Sequence, residues 1–293
     1  MPRFSKTRIA PTPSGFLHLG NVLSFAITAA IAERAGAKIL LRIDDLDRDR
    51  VRKEYVQDIF DTLNFLEIPW HEGPRNYAEY ESQFSQVHRV TLYHKALEEL
   101  RQGDRLFACT CSRAQVRMNN PEEIYAGTCR DMRIAFDTKD VSWRLKTDIT
   151  EDITVNTLDH AAIKAHLPAS MQDFVVRKKD GYPAYQLASV IDDLHFGVDL
   201  VVRGEDLRDS TLAQLYLAAR LGRNGFQRVT FHHHKLLSKK GGMKLSKSAG
   251  DTSVSYLRKQ GKKPAEIFSG IAFMFGHNDP VNDWKQLAKI LIS

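Results

Sequence analysis

Two short stretches, far apart in the chain, carry the side chains best suited to phosphate chemistry. The first, PTPSGFLHLGN at residues 11–21, packs two prolines and two glycines into a stiff turn. It follows a short β-like segment and precedes the apolar run 22–35. Asn21 reads as the N-cap of that run and Gly36 as its C-terminal stop. With the buried segment AKILLRID behind it, the pattern is strand, turn, helix, strand, which presents helix N-terminal amides to an anion. His18 stands at the mouth of that turn. The second stretch, KLSKS at residues 244–248, follows Gly241 and Gly242. Lys244 and Lys247 on such a loop can close on a triphosphate and follow its charge as pyrophosphate leaves. Taken singly, each stretch also fits an ordinary surface loop.

The chain has three cysteines, Cys109, Cys111 and Cys129. An odd number excludes a complete disulfide framework. In an extended Cys-Thr-Cys both thiols face one side and can reach one ion. Three thiolates leave a tetrahedral zinc one ligand short, and reduced structural thiols are the competing reading. The triplet His232 to His234 is a weaker candidate, because alternate residues of an extended segment face opposite ways.

The elements that must hold these groups alternate between strand and helix. Val56, Ile59, Phe60, Leu63 and Leu66 follow helical spacing, and QVHRVTLYHKALEELRQG reads as a second helix closed by Gly103. DVSWRLKTD reads as a strand. DFVVRKKDGYPAYQLASVIDD reads as a strand, a turn at Asp180-Gly181, and a new strand or helix. GVDLVVRGEDLRDSTLAQLYLAARLG gives a strand, an acidic loop and a helix from about Ser210 to Leu221, and a helical tail carries Ile267, Ile271, Phe275 and Trp284. The alternation predicts an α/β fold with a largely parallel sheet. The expected divisions are a first half of a nucleotide-binding domain at 1–71, an inserted subdomain with the cysteines at 72–167, the second half at 168–250, and a helical tail at 251–293. The chain of 293 residues carries a net charge of +6, compatible with a polyanionic partner. No long apolar run or secretory h-region appears, so the cytoplasm is the expected location.

PTPSGFLHLGN together with KLSKS resembles the two nucleotide-binding signatures of class I aminoacyl-tRNA synthetases. LRIDDLDRDR, AYQLASVIDD and VVRGEDLRDST resemble the Arg-Ile-Glu-Asp-x-Asp segment, the Tyr-Gln-Leu-Ala strand and the Arg-Gly-x-Asp-Leu loop of the glutamyl branch. The short length and the Cys-x-Cys…Tyr…Cys segment are similar to that branch's compact paralogues, which have no anticodon-binding domain. The resemblance implies a Rossmann-like catalytic domain with an inserted zinc and acceptor subdomain. It implies an L-glutamate site at Arg8, Ile9, Ala10, Pro11, Thr12, Asp44, Tyr185 and Arg203. His18, Gly20, Asn21 and Lys247 would bind ATP with Mg²⁺, and His18, Lys244 and Lys247 would act in catalysis. Tyr125 would join Cys109, Cys111 and Cys129 as the fourth ligand of a structural zinc.

A dicarboxylic amino acid needs one cation per carboxylate and an acid for its ammonium. Arg8 and Arg203 suit the first role and Asp44 the second. Two positions depart from the family pattern: Asp44 stands where glutamate is usual, and Asn21 where many class I enzymes have a second histidine. The implied reaction is ATP-dependent formation of glutamyl-adenylate by a monomer. The implied acceptor is queuosine in the anticodon loop of tRNA(Asp), with Arg48, Arg50 and Arg52 on the phosphate-binding surface. A glutamate-activating ligase with another acceptor, or a truncated glutamyl-tRNA synthetase, are the alternatives.

Overall fold

The strand-turn-helix-strand unit expected at the N-terminus is formed by β1 (Lys6–Ile9), α1 (Leu19–Ala35) and β2 (Lys38–Leu41). β1 and β2 pair in parallel, with Arg8 opposite Leu40. α1 is apolar on nearly all sides, and its buried residues run from Leu19 to Ala35 around the whole helix. A helix of that composition must be largely enclosed, and only Glu33 and Arg34 in its last turn are exposed. The described structure, a computed structural model, covers residues 2–120, 122, 124–158, 161–237 and 253–292. KLSKS, with Lys244 and Lys247, lies outside the described residues.

The remaining elements are α2 (Lys53–Phe65), α3 (Tyr77–Glu79), α4 (Val90–Gln102), β3 (Leu106–Cys109), α5 (Arg113–Asn119), β4 (Ser142–Leu145), β5 (Ile153–Thr157), β6 (Ile163–Ala165) and β7 (Val175–Arg177). They continue as α6 (Tyr185–His195), β8 (Leu200–Gly204), α7 (Arg208–Arg220), α8 (Asn224–Gln227), β9 (Thr230–His234), α9 (Val254–Lys259), α10 (Pro264–Met274) and α11 (Trp284–Ile292). The chain divides into two compact units. The first comprises Met1–His88, Leu200–Glu205 and His232–Ser293, and the second Arg89–Asp199 and Asp206–Phe231.

In the first unit α1 is wrapped by β1, β2, β8, α10 and α11. Gly36 closes it in the left-handed region at φ 70°, as the sequence predicts. The free edge of β2 is completed by residues 71–72: Leu41 donates to the Glu72 carbonyl at 2.9 Å, and His71 donates to that of Ile39 at 2.7 Å. Gly73 follows at φ 95°, where a Cβ would fall 2.2 Å from the Leu41 carbonyl oxygen. Only glycine fits this approach. α2 buries Val56, Ile59, Phe60 and Leu63 as their spacing predicts, but it begins at Lys53, after a 3₁₀ turn over Arg48–Arg50. In the tail, Ile267, Ile271 and Trp284 are buried.

In the second unit β3, β4 and β7 form an antiparallel sheet, while β5 pairs with β6 antiparallel and with β9 in parallel. The fold is α/β, as the sequence predicts, with parallel pairing of β1 with β2 and of β5 with β9 beside these antiparallel pairs. The AYQLASVIDD segment, a strand or a helix by its residues and a strand by the resemblance, forms the helix α6, with every residue from Gln186 to Asp193 buried. The turn at Gly181 and an isolated bridge between Arg177 and Pro183 end the strand first. Deep in this unit Arg89 grips Asp192 with two bonds, at 2.8 and 3.0 Å, and Tyr93 adds a third at 2.7 Å. Among the described residues no helix is long and apolar enough to cross a membrane.

Candidate active site and thiol cluster

His18, not Asn21, is the N-cap of α1. Its backbone is extended (φ −116°, ψ 172°), and its Nδ1 accepts the Gly20 N–H at 3.1 Å. Asn21 sits three residues on, where its Oδ1 accepts the His18 N–H at 3.0 Å. The two side chains thus satisfy each other's end of the helix, in the manner of a capping box. Histidine is not a usual N-cap residue, so the sequence pointed to the asparagine. The exchange has a chemical consequence. A backbone N–H can only donate, so Nδ1 carries no proton and the neutral ring holds its proton on Nε2. Gly20 leaves room for this ring: a Cβ there would lie 3.0 Å from His18 Cε1.

The backbone ladder of β1 and β2 continues beyond both strands. Arg42 donates to the Ile9 carbonyl at 2.9 Å and Asp44 to that of Pro11 at 3.0 Å. Residues 9–11 and 42–44 therefore run side by side, as a joint site requires. Arg8 and Arg203 belong to the same unit and are 5% and 4% exposed. β8, which bears Arg203, lies against β1, and Arg8 Nη1 donates to the Val202 carbonyl at 3.2 Å. Asp44 is also buried, but its carboxylate is gripped by Arg42 through Nε at 2.7 Å and Nη2 at 3.0 Å. The sequence reading missed Arg42, although a cation two residues from an acid in an extended segment was a usable signal.

Asp45, wholly buried, accepts from the Tyr80 hydroxyl at 2.6 Å, the Ser85 hydroxyl at 2.5 Å and the Gln86 N–H at 2.9 Å. This web fixes the loop that carries Asp44. Burial and the facing Asp45 charge push the Tyr80 hydroxyl far above the usual phenol range, so it remains a donor. Arg48 and Arg50 are exposed and pair with Asp45 and Asp47, while Arg52 is exposed just ahead of α2. Tyr185 opens α6 in the second unit and is 42% exposed.

The three cysteines converge in that second unit. Their Sγ atoms all lie within 4.8 Å of one another, with Cys109 and Cys129 buried. Cys111 Sγ is 3.6 Å from Cys129 Sγ, and Tyr125 Oη is 3.6 Å from Cys109 Sγ. Tyr125 Oη also accepts the Cys129 N–H at 2.8 Å, and the Arg144 guanidinium lies 3.7 Å over its ring. Burial pushes the Cys111 thiol up to about 12, helped by its sulfur neighbours. Burial acts against Cys129 too, but hydrogen bonds from Thr110, Cys111 and Tyr125 outweigh it and bring that thiol down to about 7. Tyr125 is pushed well above the usual phenol range by burial and by Cys109. Three soft sulfur donors beside one phenol oxygen fit a zinc-type site. His232 to His234 lie on β9, where His234 Nδ1 is 2.9 Å from the Lys235 carbonyl. They form no such cluster among the described residues.

A family model for the catalytic domain of class I tRNA synthetases (E and Q) matches residues 5–283. The chain belongs to this family. It is 34% identical over 281 residues to a glutamyl-Q tRNA(Asp) synthetase of Symbiobacterium thermophilum, covering 92% of this chain and 86% of that one. It is 38% identical over 245 residues to the protein of the same name from Methylococcus capsulatus, covering 83% and 76%. Among solved structures it is similar to a glutamate-tRNA synthetase from Elizabethkingia anophelis, with a TM-score of 0.76 and 22% identity. That superposition covers 97% of this chain and 65% of the other, so the chain spans under two thirds of that synthetase. As a class I synthetase, the chain is a ligase-type enzyme whose fold places a histidine-capped helix beside two buried arginines.

The two roles of His18 can be separated by substitution. His18→Ala is expected to lower stability by about 0.5–2 kcal/mol through loss of the cap, whereas His18→Asn keeps it. Urea unfolding of the two variants checks this, with Asn close to wild type and Ala below it.

Proposed function

We propose that this enzyme activates L-glutamate with ATP and transfers the glutamyl group to queuosine in the anticodon loop of tRNA(Asp). The observation that carries most weight is the pair of buried guanidiniums, Arg8 and Arg203, on neighbouring strands of one unit. Two forked cations suit a ligand with two carboxylates. Residues 8–12 belong to the amino-acid site. Asp44 receives the α-ammonium on the lone pairs that Arg42 does not use, since a carboxylate offers about four acceptor directions. The Arg42 bond sets the orientation of the shorter acid. The names of the relatives supply the acceptor.

In the first step an oxygen of the glutamate α-carboxylate attacks the α-phosphorus of ATP. The new O–P bond forms as the bond to pyrophosphate breaks, and no proton moves. His18 donates from Nε2 to a phosphate oxygen, and the N-terminal end of α1, where Gly20 and Asn21 lie, turns its positive dipole end to the same anion. Lys247, assisted by Lys244, neutralises the departing pyrophosphate, and Mg²⁺ accompanies ATP. In the second step a hydroxyl of the queuosine cyclopentene-diol attacks the adenylate carbonyl. AMP leaves and the hydroxyl proton passes to the departing phosphate. A cis-diol is the feature that queuosine shares with a terminal ribose. Arg48, Arg50 and Arg52 contribute to holding the loop phosphates, as net charge +6 favours. The enzyme acts as a cytoplasmic monomer.

Cys109, Cys111, Cys129 and Tyr125 hold a zinc ion that braces the second unit and takes no part in either step. When bound, the ion keeps the thiols ionised and removes the Tyr125 proton. Elemental analysis of tag-free protein is expected to give about one zinc per chain. A value near zero, with all three thiols titratable in the native state, would remove this assignment.

Glutamate-dependent ATP–pyrophosphate exchange without RNA tests the activation step. Lys247→Ala is expected to fold normally and to lose about 10²–10³ in exchange rate. Near-normal exchange in that variant would contradict the proposed reaction.

A further inference from the structure

Leu17, the residue before the signature histidine, is held from both sides by groups that the mechanism above does not use. Its N–H donates to Asp58 Oδ2 on α2 at 2.9 Å, in a buried bond. Its carbonyl accepts the Val254 N–H at 2.8 Å, at the first turn of α9. An isolated antiparallel bridge between His18 and Ser253 extends the same contact by one residue. All of these residues belong to the first unit.

Each clamp is itself braced. Asp58 is 4% exposed, and a carboxylate in that setting needs a reason to be there. The Thr62 hydroxyl approaches its other oxygen at 3.5 Å. Burial raises the pKa of Asp58, while the Leu17 N–H and the Arg258 charge pull it back. Ser253 caps α9 by accepting the Tyr256 N–H at 3.1 Å, and Arg258 reaches from α9 to Asp61 on α2 at 3.4 Å. α2 and α9 are thus joined to each other and, through Leu17, to the start of α1.

We infer that Asp58 and the Val254 backbone N–H are positioning groups for nucleotide binding, which set the place of His18 by fixing Leu17. Neither group touches the reacting atoms. A residue held at both its N–H and its C=O cannot translate, so the next residue's ring is delivered to one place. Displacement of about 1 Å at a phosphate contact is enough to cost up to about 10²-fold. The glutamate contacts on β1 and β8 do not run through this clamp. ATP binding is therefore expected to suffer and glutamate binding to be spared.

The inference rests on the proposed reading of His18 as a phosphate contact, and the test separates the two. Asp58→Ala removes the acceptor, and Asp58→Asn keeps one oxygen for the Leu17 N–H. Val254→Pro removes the other bond, and Val254→Ala, which trims the same fully buried side chain but keeps the N–H, separates that loss from lost packing. Position 254 is the first residue of α9, where proline is well tolerated, and Ser253 at φ −73°, ψ 146° already has the backbone that a following proline requires. Dissociation constants for ATP and for glutamate are measured by calorimetry, which needs no turnover and no acceptor. Asp58→Ala and Val254→Pro are expected to weaken ATP about fivefold or more with glutamate within about twofold, and Asp58→Asn to stay near wild type. Should Asp58→Ala fail to fold, Val254→Pro carries the test alone. Equal weakening of both ligands, or no change in ATP affinity, would overturn the inference. If His18→Asn leaves ATP affinity intact, the reading of His18 as a phosphate contact fails, and the clamp's effect through that ring fails with it. If Val254→Pro leaves it intact while His18→Asn lowers it, the clamp fails alone.

Discussion

The start of α1 is the constraint on which the first unit depends. An apolar helix enclosed on most sides cannot leave its first amides unpaired, so they must meet a capping group or a ligand. Here the cap is His18, and the choice of histidine settles two matters together. Its Nδ1 is committed to the Gly20 N–H, and its Nε2 is thereby made a donor. The amides of α1 and that N–H share one polarity. The turn is built to receive negative charge. That is the electrostatic character expected of an enzyme that works by orientation and neutralisation.

The amino-acid side follows from strand geometry. β1 and β2 pair in parallel, and their ladder runs on until Asp44 meets Pro11. The buried Asp45 web then locks the loop from behind through Tyr80, Ser85 and Gln86. An acid one methylene shorter than the family pattern is tolerable in such a frame because Arg42 holds it by two bonds. Arg8 and Arg203 are buried on β1 and β8, where an exposed lysine could not serve as a forked partner.

Much of this was legible in the chain, and the failures have physical causes. Helices α2, α4, α7 and α10 announced themselves by apolar spacing, and Gly36 by its position after the run. The cysteine cluster was visible in Cys-Thr-Cys, because alternation along a strand is a local property. The helical start at His18 was misread because N-cap preference favours asparagine, and only the folded turn shows the histidine ring turned back on Gly20. AYQLASVIDD stayed open between strand and helix because eight successive buried residues carry neither a period of two nor one of 3.6. Asp58 went unremarked for a different reason. Its partner, the Leu17 amide, is fixed by tertiary packing, and a charged residue on a buried helical face is a cue only once that face is known.

The acceptor is where the account commits itself furthest, and one measurement addresses it directly. Radiolabelled glutamate, ATP and the enzyme are incubated with tRNA(Asp) that carries queuosine and with tRNA(Asp) that lacks it. The expected result is label only on the queuosine-bearing tRNA, retained when its 3′-terminal adenosine has been removed. Label that survives the absence of queuosine, requires a free 3′-terminal adenosine, or appears mainly on tRNA(Glu) would contradict it.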